Sequence, residues 1–282
     1  MEAAAPALSR RHEAGAQSAR GMLLTLLGEF VLPAEGPAGD GAWTSAVLAA
    51  FERLGVAEKA TRQALMRTSN AGWLTPDKVG RRTRWQLTPA ARKLLTDGAE
   101  RIYSFGPAPD WDGTWVIVQA RIPDSDRRAR HVVRTRLAWA GYGSLGPGLW
   151  ISPHAARERE AVRVLTEAGV AADANVFVAR RTGLSDARAM VAAAWDLPAL
   201  CEAYDEFIAE FDGRQPPQEP ADVLTRQLEL VHAWRRFPAL DPSLPSELLP
   251  DQWSGTAAAR LFAGRHGQWL AGSRREWERL NA

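Results

Sequence analysis

The chain has 282 residues, of which 46% are hydrophobic and 24% charged, a mix that excludes wholesale disorder and gives length for about two domains. Its formal net charge of +2 hides an asymmetry: 14 Lys and Arg stand against 10 Asp and Glu over 1–103, 12 against 10 over 104–198, and 9 against 13 over 199–282. The sharpest excess lies over 53–93, where ten basic residues face only Glu58 and Asp77, so one face is suited to a polyanion.

In chain order, 1–16 carries no apolar face and reads as a mobile tail. A helix is predicted over 17–31 from the stripe Leu23, Leu24, Leu26, Leu27 and Phe30. The Gly- and Pro-rich stretch 33–41 is a loop. A second helix starts near Thr44 and turns Val47, Leu48, Phe51 and Leu54 inward, and Gly55 stops it. The third helix, over 57–71, is the most informative. Glu58, Lys59, Arg62, Gln63, Met66, Arg67 and Asn70 share one face at helical spacing, with Ala60, Ala64, Leu65 and Thr68 on the other. Two short extended segments follow, 73–77 and 84–87, joined by a basic tip over 78–83 with Gly80 at its turn. Thr88 and Pro89 then open a helix that runs to Tyr103.

Helix, helix, turn, helix and basic hairpin is the order of a winged helix-turn-helix. Lys59, Arg62, Gln63, Arg67 and Asn70 offer the donors and acceptors that read base edges in a major groove. Lys78, Arg81, Arg82 and Arg84 offer cations to phosphates or to the minor groove. The predicted partner is double-stranded DNA.

A Pro- and Gly-rich linker over 107–111 precedes a strand–helix–strand–strand–helix–strand order: strands 114–122, 142–145, 149–152 and 175–180, helices 126–140 and 155–169. This is the ferredoxin-like order. The last third is predicted helical, near 199–212, 221–237, 255–271 and 273–281, interrupted by a Pro-rich connector over 238–250. The reading is therefore an α+β multidomain chain: tail 1–16, winged helix-turn-helix 17–104, ferredoxin-like domain 105–198 and all-helical domain 199–282.

Chemical motifs are few. Gly141, Gly143 and Gly146 match a dinucleotide fingerprint in spacing, but a helix precedes them and an extended segment follows, the reverse of what such a site needs. Ser144 does not sit in a nucleophile elbow. The histidines His12, His131, His154, His232 and His266 have no metal-ligand spacing. No catalytic, metal or cofactor site is predicted. The lone Cys201 excludes an intrachain disulfide and a cysteine zinc site, fits a reducing, cytoplasmic setting, and lies in an apolar run that predicts a buried thiol. No run of 18 apolar residues is present, so no transmembrane helix is predicted.

Specific strings now bear comparison with known proteins. ATRQALMR at 60–67, GWL at 72–74, VGRR at 79–82 and LT at 87–88 resemble the winged-helix part of the PaaX family, repressors of phenylacetic acid degradation operons. Trp115, IP at 122–123, GYGSL at 141–145 and GLWISP at 148–153 are similar to that family's central domain. RRFPALDPSLP at 235–245, LLP at 248–250 and WSG at 253–255 resemble its C-terminal signature, the most specific of the three. Thr61 and Thr68 depart from the winged-helix pattern, where an aliphatic residue and a Leu are expected, and the extra loop over 33–41 is also unusual. The resemblance implies a homodimeric repressor with a Cas2-like ferredoxin fold in its centre, bound to an imperfectly palindromic operator and released by an aryl-CoA thioester such as phenylacetyl-CoA.

A polyanionic and partly greasy effector needs clustered arginines and an aromatic wall. Arg127, Arg128, Arg130, Arg134 and Arg136 are the candidates for the first, and Trp234, Phe237 and Trp253, around the Pro-rich connector, for the second. The Cas2-like expectation also raises an alternative, a metal-dependent nuclease. Asp110, Asp112 and Asp124 flank the first central strand, but none lies inside it with a second carboxylate at clear spacing. An acyl-CoA-modifying enzyme would need a nucleophile with a base, and none is apparent.

Overall fold

The computed structural model describes residues 19–33, 41–106, 110–183, 186–213 and 219–282. The tail over 1–16, most of the loop over 33–41 and the start of the linker lie outside these. In chain order the helices are α1 (Ala19–Leu26), α2 (Thr44–Arg53), α3 (Glu58–Asn70), α4 (Pro89–Tyr103), α5 (Arg127–Trp139), α6 (Glu158–Glu167), α7 (Ala187–Ala194), α8 (Leu197–Phe211), α9 (Pro220–Trp234), the single turn α10 (Phe237–Leu240) and α11 (Gly255–Leu280). The strands are β1 (Ala42–Trp43), β2 (Leu74–Val79), β3 (Arg82–Leu87), β4 (Thr114–Ala120), β5 (Gly143–Gly146), β6 (Leu149–Ser152) and β7 (Ala174–Arg180). Two compact units result. The first gathers 1–105, 207–236 and 257–282; the second gathers 106–206 and 237–256. The last third of the chain is thus shared between them.

In the first unit α1 runs into a π-helical turn, Leu27–Val31, closed by the Leu32 amide on the Leu27 carbonyl at 2.8 Å. Leu23, Leu26, Leu27, Phe30 and Val31 are buried with Val47, Phe51, Leu65, Trp85 and Leu87, and with Leu224, Leu228 and Trp277 of α9 and α11. The C-terminal helices therefore complete the core that α1–α3 begin. Thr61 and Thr68, the two departures from apolar expectation, are fully buried in α3. Each hydroxyl donates to the carbonyl four residues back, to Ala57 at 3.3 Å and Ala64 at 2.7 Å, which satisfies the polar atom without a distant partner.

The sheet order is β1-β3-β2, all antiparallel. The hairpin is longer than the sequence suggests. Val79 pairs with Arg82, so Gly80 and Arg81 alone make the turn. Gly80 adopts φ +62°, a conformation that suits glycine at the first central position of a two-residue hairpin turn.

In the second unit the strand order is β5-β6-β4-β7, every neighbour antiparallel. Helices α5 and α6 cover one face through Val133, Leu137, Ala161, Val164 and Leu165, packed on Val116, Val118 and Trp150. The other face carries Trp115 and Ile151, covered by Val191, Leu197, Leu244 and Leu248. The Pro-rich connector thus serves as a core layer, and it holds a polar node of its own. Asp241 accepts from the Tyr204 hydroxyl at 2.7 Å and the Ser243 amide at 2.6 Å, and burial pushes its carboxyl above the ordinary value.

Three expectations for 187–282 need correction. Helix α7 falls in a stretch left unassigned; Asp186 caps it through the Arg188 and Ala189 amides. The predicted break at 272 is absent, since α11 is one helix of 26 residues. Gly272 lies inside it because a Cβ there would come within 3.1 Å of Val223 on α9; close packing offsets the cost of roughly 1 kcal/mol for a helical glycine. Cys201 is half-buried rather than buried.

Glu276 on α11 accepts from Arg53 at the end of α2 and from Arg279, each at 2.7 Å. Hydrogen bonds from Arg279 and Arg53 hold its carboxyl down at about 2. Its contribution to stability is therefore complete above the ordinary value of 4.5 and is lost as pH falls toward about 2. Arg279 is exposed and its bond is screened, Arg53 is about a quarter exposed, and Glu276→Gln should cost about 1 kcal/mol in urea denaturation at pH 7, chiefly through the loss of the Arg53–Glu276 pair. Equal stability of the two proteins at pH 7 would show that this pair does not secure α11 to α2.

Candidate nucleic-acid interface

Helix α3 divides cleanly. Thr61, Ala64, Leu65 and Thr68 are buried, whereas Glu58, Lys59, Arg62, Gln63, Met66, Arg67 and Asn70 are all exposed and line one open recess on the helix surface. The five candidate base-reading residues are thus together on one face. Glu58, in the first turn, holds Arg62 through its Nε at 2.7 Å. Both side chains are more than half exposed, so this pair is weak and opens readily to a better acceptor.

The chain that follows is anchored by side chains. The Ser69 hydroxyl donates to the Leu74 carbonyl at 2.9 Å, and the Thr88 hydroxyl to the Gly72 carbonyl at 2.9 Å. The Trp85 indole donates to the Thr44 hydroxyl at 2.9 Å, and that hydroxyl donates to the Thr83 carbonyl at 3.1 Å. These bonds fix the hairpin against α2 and α3.

The four hairpin cations differ in their surroundings. Lys78 and Arg81 are exposed beside and within the turn. The Arg82 guanidinium lies 4.0 Å from the Trp43 ring centre and donates to the Ala282 carbonyl at 2.9 Å. Arg84 is half-buried, with its guanidinium 5.8 Å from the same ring. The sequence offered no sign of Trp43 as a platform for arginines; only its place just before α2 could have drawn notice.

In the second unit a cleft of about 910 Å³ is lined by Arg121, Arg127, Arg130, His131 and Arg134, with Asp124, Asp173, Ile122, Trp150 and the turn 146–148. Three of the five candidate effector arginines meet there. Arg128 is exposed outside it, and Arg136 is paired with Glu167. Arg121 and His131 join the cleft without having been singled out; their signal was position, at the end of a strand and on the arginine face of a helix. The candidate aromatics lie elsewhere. Trp234 is fully buried in the first unit, stacked on Phe262 at 4.7 Å, with its indole donating to the Ile102 carbonyl at 3.2 Å. Phe237 is fully buried in the second unit and stacks on Tyr204 at 4.1 Å, and Trp253 meets Tyr204 edge-on at 5.6 Å. Among the described residues no group of three His, Cys, Asp or Glu could hold a metal ion, and no helix is long and apolar enough to cross a membrane.

An antiparallel four-stranded sheet with two helices on one face, together with a helix that presents cations and amides to solvent, defines an α+β protein with a free basic face. The description "PaaX-like protein" matches 18–91, "PaaX protein central Cas2-like domain" 108–191, and "PaaX-like protein C-terminal domain" 195–279. The chain is 35% identical, over 78% of its length and 71% of the relative's, to the transcriptional repressor PaaX of Escherichia coli strain K12. The chain belongs to the PaaX family, with a Cas2-like central domain and a helical C-terminal part. An uncharacterized protein of Mycobacterium tuberculosis shares the fold, at a TM-score of 0.63 and 21% identity, over 94% of this chain and 99% of that one.

The exposed α3 side chains bear no part of the core. Arg62→Ala, Gln63→Ala and Arg67→Ala should each change stability in urea by under about 0.5 kcal/mol. A loss of 2 kcal/mol or more would mark that residue as structural.

Proposed function

We propose that this chain is a cytoplasmic, DNA-binding transcriptional repressor of an aromatic-acid catabolic operon, released from its operator by an aryl-CoA thioester such as phenylacetyl-CoA. One observation carries the DNA-binding reading: Lys59, Arg62, Gln63, Arg67 and Asn70 share a wholly exposed helix face. Beside it stands a hairpin that offers Lys78 and Arg81 to water. In this reading α2 and α3 are a helix-turn-helix, α3 is the recognition helix, and β2 and β3 are the wing. The guanidinium and amide groups of α3 form bidentate contacts with guanine and adenine edges. Lys78 and Arg81 meet phosphates, while Arg82 and Arg84, held against Trp43, shape the wing.

One such module reads few base pairs, so the protein acts as a two-fold dimer on an imperfect palindrome with half-sites about 10 bp apart or a multiple of that. Arg62→Ala or Gln63→Ala should cost about 1–3 kcal/mol on the operator, concentrated at particular base pairs, in binding titrations at fixed salt. Equal weakening on operator and random DNA would remove α3 as the reader.

The arginine cleft of the second unit supports the effector reading. Four arginines face two aspartates there, which suits the phosphates of a CoA thioester, and Ile122 and Trp150 supply apolar lining. The family relative's repressor name supports the regulatory reading. Arg127→Ala with Arg134→Ala should leave operator affinity within a few-fold and abolish release by phenylacetyl-CoA in a gel-shift titration. Loss of operator binding, with thioester binding intact by calorimetry, would assign these arginines to DNA instead. Coupling of this kind amounts to about 1–3 kcal/mol.

A further inference from the structure

Helix α3 holds one residue that neither the core nor its charged and amide groups account for. Met66 is 52% exposed, and it takes no part in the core beneath, which Ala64 and Leu65 enter. At about 100° per residue around a helix, Met66 falls near the middle of the exposed arc. Lys59, Asn70, Gln63 and Arg67 lie to one side of it, and Arg62 and Glu58 to the other. All six border the same recess as Met66. An apolar side chain therefore stands at the centre of a face whose other members all donate or accept hydrogen bonds. Single exposed apolar residues are ordinary on a protein surface. This one is set apart by its surroundings. Three cations and one carboxylate around it suit a polyanion, and the middle of a helix face is the part that reaches the floor of a groove holding that helix.

We infer that Met66 reads the 5-methyl group of thymine in the major groove, as the apolar member of an otherwise polar recognition face. The inference rests on the DNA-binding reading given above and adds a base to it.

The chemistry leaves one target. A thioether has no proton to donate and is a weak acceptor. Among the groups that distinguish base pairs on the major-groove edge, only the thymine methyl is apolar; the rest are hydrogen-bond donors or acceptors. Set against N7, O6, O4 or an exocyclic amine, Met66 would displace water from a polar atom and return no bond. Set against the methyl, it removes apolar surface from water on both partners. Its unbranched, polarisable side chain can adapt to a group as small as a methyl. Phosphates flank the groove, so they fall to the cations at the edges of the arc rather than to its centre. Spacing then defines the neighbourhood. Arg62, Met66 and Asn70 form a row at four-residue intervals, about 6 Å apart along the helix axis, while successive base pairs are about 3.4 Å apart. The thymine therefore lies within about two base pairs of the bases met by Arg62 and by Asn70.

A single methyl group serves as the probe. Repeated selection by the full chain from a pool of random-sequence duplexes supplies the best-bound DNA, in which each thymine is then replaced singly by deoxyuridine. At one thymine per half-site, loss of the methyl should weaken binding by the unaltered chain about four-fold, the worth of one buried carbon. Met66→Ala should bind the thymine duplex about four-fold or more weakly and should be indifferent to uracil at that position. Met66→Gln should lose the methyl preference as well. Position 66 is exposed and alanine favours a helix, so the urea midpoint of Met66→Ala should match that of the unaltered chain. A scan that is flat at every thymine, or a uracil penalty that persists in Met66→Ala, overturns the assignment of Met66. If Arg62→Ala then still weakens binding at a particular base pair, α3 remains the reader without it. If selection returns no preferred sequence, or Arg62→Ala and Gln63→Ala weaken every duplex equally, the DNA reading of α3 fails and the thymine contact fails with it.

Discussion

The first unit is organised around one buried carboxylate. Glu29 is 4% exposed and sits in the π-helical turn that ends the first helical segment. It accepts from Gln227 of α9 at 2.7 Å, meets the His266 ring of α11 at 2.8 Å, and accepts from the Tyr103 hydroxyl of α4. Burial pushes its carboxyl up, but His266, Tyr103 and Gln227 together outweigh that and hold it below the ordinary value. A carboxylate so placed is tolerated only while its partners stay; removal of one partner of a buried pair commonly costs about 3–5 kcal/mol. The π turn frees backbone geometry that a regular α-helix lacks, and Leu27, Glu29, Phe30 and Val31 are all buried within it. Four segments far apart in sequence are thereby held to one point.

That constraint explains why the first unit draws on both ends of the chain. Without α9 and α11 the carboxylate would lose Gln227 and His266, and the core of α1 to α3 would lose Leu224, Leu228 and Trp277. The amide of Trp43 donates to the Asn281 side chain at 2.8 Å, and Asn281 donates to the Gly41 carbonyl at 2.9 Å, adding a polar clasp at β1. With the fold secured from behind, the outer face of α3 carries no structural duty. Seven side chains stand exposed there, while the residues beneath them pack as apolar surface or satisfy their own hydroxyls.

The regular elements were legible in the sequence, and the reasons are local. The seven exposed residues of α3 follow a 3.6 period, and the buried side of that helix is visible in the same string. The four-strand order of the second unit is legible because Gly and Pro punctuate short β-branched runs. The rest depends on partners distant in sequence. Glu29 reads as a lone charge in an apolar stripe, and nothing near it announces Gln227 or His266. Gly272 reads as a stop because Val223 cannot be seen from it. The stretch 238–250 reads as a connector, yet Leu244 and Leu248 cover the back of a sheet. Helix α7 is rich in alanine and carries Val191 as its buried side chain, too weak a periodic signal to stand out. Trp234 and Phe237 fit an aromatic pocket by composition, and only packing shows that their rings are already occupied by Phe262 and Tyr204.

The same distinction sorts the arginines, which composition counts as equals. A guanidinium is useful to a ligand in proportion to how loosely it is held. Arg82 and Arg84 lie over Trp43, Arg136 is paired with Glu167, and Arg53 is bound to the buried Glu276; each would have to give up a contact to take a phosphate. Arg62 is held only by an exposed carboxylate one turn away, which water and salt already weaken. Arg127 and Arg134 are exposed at the rim of a cleft in which cations outnumber carboxylates. A basic excess in a sequence therefore fixes the sign of a field, while packing decides which of its charges can move onto a polyanion. Among the described residues such charges stand on the outer face of α3, at the turn between β2 and β3, and in the first turns of α5. The first place is the open face of a helix and the last a cleft of about 910 Å³.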